Sequence, residues 1–131
     1  MISSDLNKVF RNAFNYAKDN KHEYLTLEHV LWAIIATDEG WALLSVLNAN
    51  PEKMSRDIEK YLKDNVLSLK EPVNPIETIT LSETVNSMIT HVNNSQRDSA
   101  MISDMLAAIA EQEDSYSKYL LKQYAIDRID I

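Results

Sequence analysis

A chain of 131 residues with a single glycine, Gly40, has few folds open to it. Glycine supplies the positive φ angles of tight turns and lets a backbone wrap closely around phosphate. A doubly wound nucleotide fold or a β-sandwich needs it at many positions. One glycine therefore points to helices joined by short connections. The hydrophobic fraction of 45% is that of a globular chain rather than a disordered one. The length suits one compact domain and hardly two.

Charge narrows the partners. The 13 basic and 20 acidic residues leave a formal charge of −7. Such a surface repels phosphate backbones and anionic lipid, so neither a nucleic acid nor a membrane is an expected partner. No apolar run is long enough to cross a bilayer. The start, Met1-Ile2-Ser3-Ser4-Asp5, lacks the basic and apolar regions of a secretion signal. The absence of cysteine excludes disulfides and thiol chemistry and suits a reducing cytoplasm, which is the expected location.

Apolar periodicity predicts the helices. Leu6, Val9, Phe10, Ala13, Phe14 and Ala17 form one stripe on a helix from about Asp5 to Asn20, capped by Ser3 or Ser4. Thr26 caps a second helix with Leu27, Val30, Leu31, Ile34 and Ile35 on its apolar face, and Gly40 breaks the chain after it. A short third helix carries Leu43, Leu44 and Leu47. Asn50-Pro51 starts a fourth, running to about Asn65 with Met54, Ile58, Tyr61 and Leu62 inward. From Val66 to Thr80, with Pro72 and Pro75, the pattern lapses into a linker. Ser82 caps a fifth helix bearing Val85, Met88, Ile89 and Val92. A sixth carries Ile102, Met105, Leu106 and Ile109. A seventh starts near Ser115, with Tyr116, Tyr119 and Tyr124 at the core or its edge, and Asp127 caps an eighth.

The halves repeat. A shift of 75 positions brings Leu6 onto Leu81, Phe10 onto Val85, Phe14 onto Ile89, Leu27 onto Ile102 and Leu31 onto Leu106. A gap of 2 residues then brings Leu43 and Leu44 onto Leu120 and Leu121. The predicted fold is all-α: a tandem pseudo-twofold repeat of two four-helix units, about seven to eight helices, in a single domain over 1–131. Repeat one covers about 5–66, a linker about 67–80, and repeat two about 81–131. Repeat two is short of most of its fourth helix, so the chain is expected to be cut from something longer.

Motifs for chemistry are missing. Gly40 is followed by Trp41, so no phosphate loop ending in Gly-Lys-Ser/Thr exists. A serine-hydrolase elbow needs two glycines. The cluster His22, Glu23, Glu28 and His29 fails the zincin pattern, because Thr26 stands where the second histidine is required. A looser zinc site on His22 with a carboxylate is the remaining metal reading. His91 has no ligand partner at a suitable spacing and reads as a surface or structural histidine. Trp32 lies off the main stripe, so partial exposure is expected, whereas Trp41 is expected to pack against the core.

The segment His22-Glu23-Tyr24-Leu25-Thr26-Leu27-Glu28-His29-Val30-Leu31 resembles the first-repeat signature of Clp N-domains, in the form characteristic of ClpA. Thr80-Leu81-Ser82, His91-Val92 with the polar loop to Arg97, Glu111 to Ser115, Tyr119 to Lys122 and the ending Ile126 to Ile131 resemble later parts of the same family, in order. Departures are Trp32 for a usual leucine, Gln96 where a glycine is common, and Ser103-Asp104 in place of glycine with asparagine or glutamate.

The resemblance implies a non-catalytic docking domain of a protein-unfolding ATPase. Such a domain binds the adaptor ClpS, and unfolded or tagged substrates directly, near a ring that feeds the ClpP peptidase. ATP and magnesium would belong to the absent ATPase modules, with no cofactor in this domain, and the isolated domain would be a monomer. Read as plain structure, Glu28 stabilises a first helical turn by about 0.3–1 kcal/mol and Glu23 is a solvated loop charge. In the family, acids at these matching positions contribute to the ClpS interface. Glu23 and Glu28, with His22 and Thr26, are therefore the candidate adaptor-binding residues, the two acids flanking one loop as paired negative charge. The rival readings are a free-standing helical regulator that holds a peptide between the repeats, and a small metal-dependent enzyme built on His22, Glu23 and Glu28.

Overall fold

The computed structural model describes all residues, 1–131. Seven α-helices carry the chain: α1 (Ser4–Asp19), α2 (Leu27–Ile35), α3 (Asp38–Val46), α4 (Pro51–Asn65), α5 (Ile79–Asn94), α6 (Ile102–Glu111) and α7 (Tyr116–Gln123). Two short strands, β1 (Tyr24–Leu25) and β2 (Ile76–Glu77), pair in parallel, and the chain closes on a 3₁₀ turn at Arg128–Asp130. No helix is long and apolar enough to cross a membrane.

Helix starts follow side-chain chemistry. Ser3 Oγ accepts from the Leu6 N–H at 3.1 Å, Asn50 Oδ1 from Lys53 at 3.0 Å and Ser115 Oγ from Lys118 at 3.0 Å. Each bond satisfies one of the N–H groups that a first helical turn leaves unpaired. The fifth helix begins earlier than expected. Thr78, not Ser82, is its cap, with Thr78 Oγ1 accepting from Leu81 N–H at 3.2 Å. Asp127 precedes a single 3₁₀ turn rather than a full helix.

Helix ends are less usual. α1, α3, α5 and α7 are each followed by a residue with positive φ: Lys21 (57°), Asn48 (65°), Gln96 (58°) and Ala125 (54°). Each carries the paired bonds of a Schellman turn. At the first, Lys21 N–H reaches Lys18 O and His22 N–H reaches Ala17 O, and at the third Gln96 reaches Asn93 and Arg97 reaches Val92. Glycine usually occupies this position, and here none does.

Gly40 sits elsewhere. It does not break the chain but lies buried inside α3, two residues past that helix's start. α2 ends at Ile35 and Thr37 already caps α3, so the corner is very short. A Cβ on Gly40 would stand 2.0 Å from the carbonyl oxygen of Ile34. The one glycine is used for a close backbone approach. This places Trp41, the next residue, outward at 44% exposed rather than against the core.

The two repeats share one core. α2 is apolar nearly all round, and it packs on α1, α3, α4, α6 and α7. A continuous cluster runs from Leu6, Leu31 and Ile58 to Met88, Met105 and Leu121. Each such side chain contributes about 1.5–3 kcal/mol by leaving water.

The repeats also exchange backbone. The segment before α1 bridges Ile2 to Ala100, in the α5–α6 loop. The segment before α5 pairs Glu77 with Leu25, in the α1–α2 loop. These are the same contact at the repeat shift: Ser3 N–H donates to Ala100 O at 2.9 Å and Thr78 N–H to Leu25 O at 3.0 Å. The stretch 67–80 is therefore tied down as well as connecting.

Candidate functional site

The α1–α2 loop brings the candidate residues together and then separates their roles. Its backbone is pinned from two sides. Glu23 N–H donates to Leu67 O at 3.1 Å, and Glu23 O accepts from Ile76 N–H at 2.9 Å. The Glu23 side chain is half-buried, and no ion pair engages its carboxylate. Beside it the surface is apolar. Tyr24 is 43% exposed, its strand partner Ile76 62% and Ile79 79%. Clustered exposed apolar side chains of this kind mark contact surfaces more often than isolated ones do.

Glu28 is not a surface acid. It is buried, and its Oε2 accepts from both the N–H and the hydroxyl of Ser117, each at 3.0 Å. Ser117 N–H is a first-turn donor of α7, so a carboxylate on repeat one closes a helix start on repeat two. Glu23 and Glu28 thus do not form the outward pair that their spacing suggested: α7 lies over the first turn of α2 and takes Glu28 for itself.

His22 and Thr26 belong to a third arrangement. His22 and His29 are both buried, with Nδ1 of His22 2.9 Å from Nε2 of His29. The Thr26 N–H donates to Nδ1 of His29 at 2.9 Å, and Thr26 Oγ1 accepts from His29 N–H at 3.4 Å. This is a reciprocal helix cap in which histidine stands where glutamate or glutamine is usual. Burial lowers the His22 imidazole. Burial, and then the neighbouring His22, lowers His29 to about 3. The equivalent corner of repeat two uses Asp104, which accepts from Met101 N–H at 2.7 Å and pairs with Arg97. Burial would raise the Asp104 carboxyl, but the bonds from Arg97 and Met101 outweigh it and hold the group below the usual range.

The metal reading of this cluster finds no geometric support. His22 is turned to His29 and Glu28 to Ser117, and no three His, Asp or Glu side chains converge. Between the repeats lies a crevice of about 150 Å³, bordered by Thr26, Glu28, Tyr61, Thr78, Asp114 and Tyr116. Tyr61 and Tyr116 stack across it, 4.2 Å apart and 6° from parallel. Burial, and then the Glu28 charge, raises the Tyr61 hydroxyl.

Several of these partners were missed by sequence reasoning. His29 could have been found, since Thr26 and His29 hold the spacing of a capping box. Ser117 left no signal, because it is 89 residues away from Glu28. Trp32 is half-buried, its Nε1–H donating to Glu59 at 3.2 Å, and His91 is exposed, both as expected.

The fold and the site define a helical two-repeat domain whose candidate residues support one another and one acid-and-apolar surface. The chain belongs to the Clp N-domain family: the family described as Clp repeat (R) N-terminal domain matches residues 1–124. A ClpA homolog protein of Fuscovulum blasticum is 24% identical over 132 residues, covering 98% of this chain but 17% of its own length. The chain is thus about a sixth as long as that relative. Among solved structures, the Hsp104 N-terminal domain of Candida albicans superimposes with a TM-score of 0.83 at 17% identity, covering 98% of this chain and 85% of its own. A ClpV N-domain in complex with a VipB peptide gives 0.77 at 14% identity, covering 98% and 81%.

Proposed function

We propose that this chain is the partner-docking domain of a ClpA-type protein-unfolding ATPase, receiving the adaptor ClpS and substrates bound for the ClpP peptidase. The observation that carries the reading is the pinned α1–α2 loop, which sets Glu23 beside the exposed Tyr24, Ile76 and Ile79. Membership of the Clp N-domain family, the ClpA homolog and the ClpV N-domain seen with a peptide support it. In this reading Glu23 touches the adaptor directly. Glu28, His22 and Thr26 act from beneath by holding the loop in place. Catalysis, ATP and magnesium are assigned to ATPase modules of a longer protein working in the cytoplasm. The domain raises the local concentration of adaptor and cargo at the ring entrance through its tether.

Titration with the cognate ClpS, followed by calorimetry, tests this. Binding at micromolar concentration is expected. Glu23→Lys should weaken it, with most of the change in association rate and salt dependence, as for a charge at an interface rim. No binding by the wild-type domain would remove the adaptor reading, and an unaltered Glu23→Lys would move the surface elsewhere.

A further inference from the structure

The buried imidazoles have a bonding order that leaves no room for another proton. The Thr26 backbone N–H can only donate, so Nδ1 of His29 must accept. His29 therefore carries its proton on Nε2 and donates it to Nδ1 of His22. His22 in turn carries its own proton on Nε2. The Thr26 hydroxyl lies 2.8 Å from the same His29 nitrogen and adds to that end of the chain. No buried side-chain nitrogen or oxygen lacks a partner, so the outer nitrogen of His22, which bonds to nothing, meets solvent. The group facing the pair is Tyr16 from α1, with its ring 6.2 Å from His22 and 5.9 Å from His29; Tyr16 packs in turn on Trp32 of α2 at 4.3 Å, whose Nε1–H donates to Glu59 of α4. The stretch 67–69 contributes backbone bonds and no charge. Neither imidazole forms an ion pair with a carboxylate.

We propose that the Thr26–His29–His22 chain is an acid-operated latch on the α1–α2 loop. A proton added to Nδ1 of His22 sets it against the Nε2–H of His29. If His29 yields by moving its proton to Nδ1, the Thr26 N–H loses its acceptor and the α2 cap opens. Either way one hydrogen bond of the chain is lost. The latch then releases Tyr24–Leu25, the strand that receives β2 from the other repeat. The device needs no partner molecule. It coincides with the Glu23 surface only because both lie on one loop.

The sign follows from the folded imidazoles lying below the ordinary range. The opened state, with histidines near pH 6.5, takes up protons first. Closure is therefore fully stable above about pH 6.5 and is progressively lost as the pH falls toward 3. His29 alone, near 6.5 in the opened state and about 3 in the closed one, raises the opening constant about thirtyfold between pH 8 and pH 5.

Two measurements on the isolated chain decide it. Nitrogen chemical shifts of the imidazoles at neutral pH should report both rings neutral with the proton on Nε2. Exchange of the Thr26 amide, corrected for its intrinsic rate, should lose protection about thirtyfold or more from pH 8 to pH 5. The double variant His22→Gln with His29→Asn keeps an acceptor for Thr26 and removes both titrating groups, so its protection should be flat. A His29 proton on Nδ1, constant wild-type protection, or a double variant with the wild-type slope would each overturn the latch. If the double variant does not fold, the two wild-type measurements still decide. None of them involves ClpS, so failure of the latch is separable from failure of the docking reading.

Discussion

Replacing Gly40 with alanine sets two familiar effects against each other. By intrinsic propensity the change should help, since alanine in a helix interior is favoured over glycine by about 1 kcal/mol. The structure reverses the sign. The new Cβ would lie 2.0 Å from Ile34 O and 2.8 Å from Ile34 Cγ2. An unstrained carbon–oxygen contact is about 3.3 Å, so the helices must part by about 1.3 Å. The obstacle is backbone, which cannot swing aside. Ile34 O is further held by the Thr37 N–H at 3.0 Å and the Thr37 hydroxyl at 2.7 Å, and Thr37 Oγ1 accepts from Gly40 N–H at 2.9 Å. Parting α2 from α3 therefore strains the cap as well. Overpacking at the upper end of its range, about 3 kcal/mol, plus part of a cap worth about 1 kcal/mol, less the propensity gain, leaves Gly40→Ala about 2–3 kcal/mol less stable. In urea denaturation, with a slope of about 2 kcal/mol per molar, the midpoint should fall by about 1–1.5 M. Ala42→Gly on the exposed side of the same helix calibrates the propensity term, at about 1 kcal/mol of loss. A Gly40→Ala midpoint at or above wild type would refute the close-approach argument.

Three further outcomes follow from the same geometry. Gln96→Gly should stabilise the domain by about 0.5–1 kcal/mol in thermal denaturation, because it relieves a side chain at φ 58° while loosening the unfolded chain somewhat. Glu28→Ala should cost about 2–3 kcal/mol by leaving the buried Ser117 donors unpaired, while Glu23→Ala stays within about 0.5 kcal/mol, and equal losses in urea denaturation would contradict their assigned positions. Iodide should quench Trp41, which is 44% exposed, and largely spare Trp32, so that Trp41→Phe removes most of the quenchable fluorescence.

Helix faces and starts were legible because their causes are local. Leu6, Val9, Ala13 and Ala17 lie within one helix, and all four are buried. Thr26, Asn50 and Ser115 cap because their own side chains reach three residues ahead. The register of the repeat was legible for the same reason: it is the recurrence of a local pattern. It reaches finer detail than side-chain type. Lys21 and Gln96 take the same positive φ at the repeat shift, although one is a lysine and the other a glutamine. The cap of α5 shows where local reasoning stops. Thr78, Thr80 and Ser82 can all cap a helix. The choice fell on Thr78 because its N–H is held by Leu25 O, a bond from the other repeat.

The same boundary divides the site. Glu28 at a first turn is compatible with an exposed acid until α7 is set over it, and nothing within four residues of Glu28 records that α7 arrives. Trp41, expected against the core as the residue that opens a short helix, is 44% exposed. Its direction is set one residue earlier, where Gly40 must face Ile34, and one helical step turns the next side chain about 100° away. Burial at the α1–α2 loop thus comes from the exchanged segment 76–78 and from α7, and both belong to the half of the chain that the loop's own sequence does not describe. The loop is shaped from within by the histidine cap and from outside by repeat two. Glu23, the one candidate acid left without a partner side chain, is available at the surface because its neighbours are not: His22, Thr26 and Glu28 are each engaged in holding the strand on which it sits.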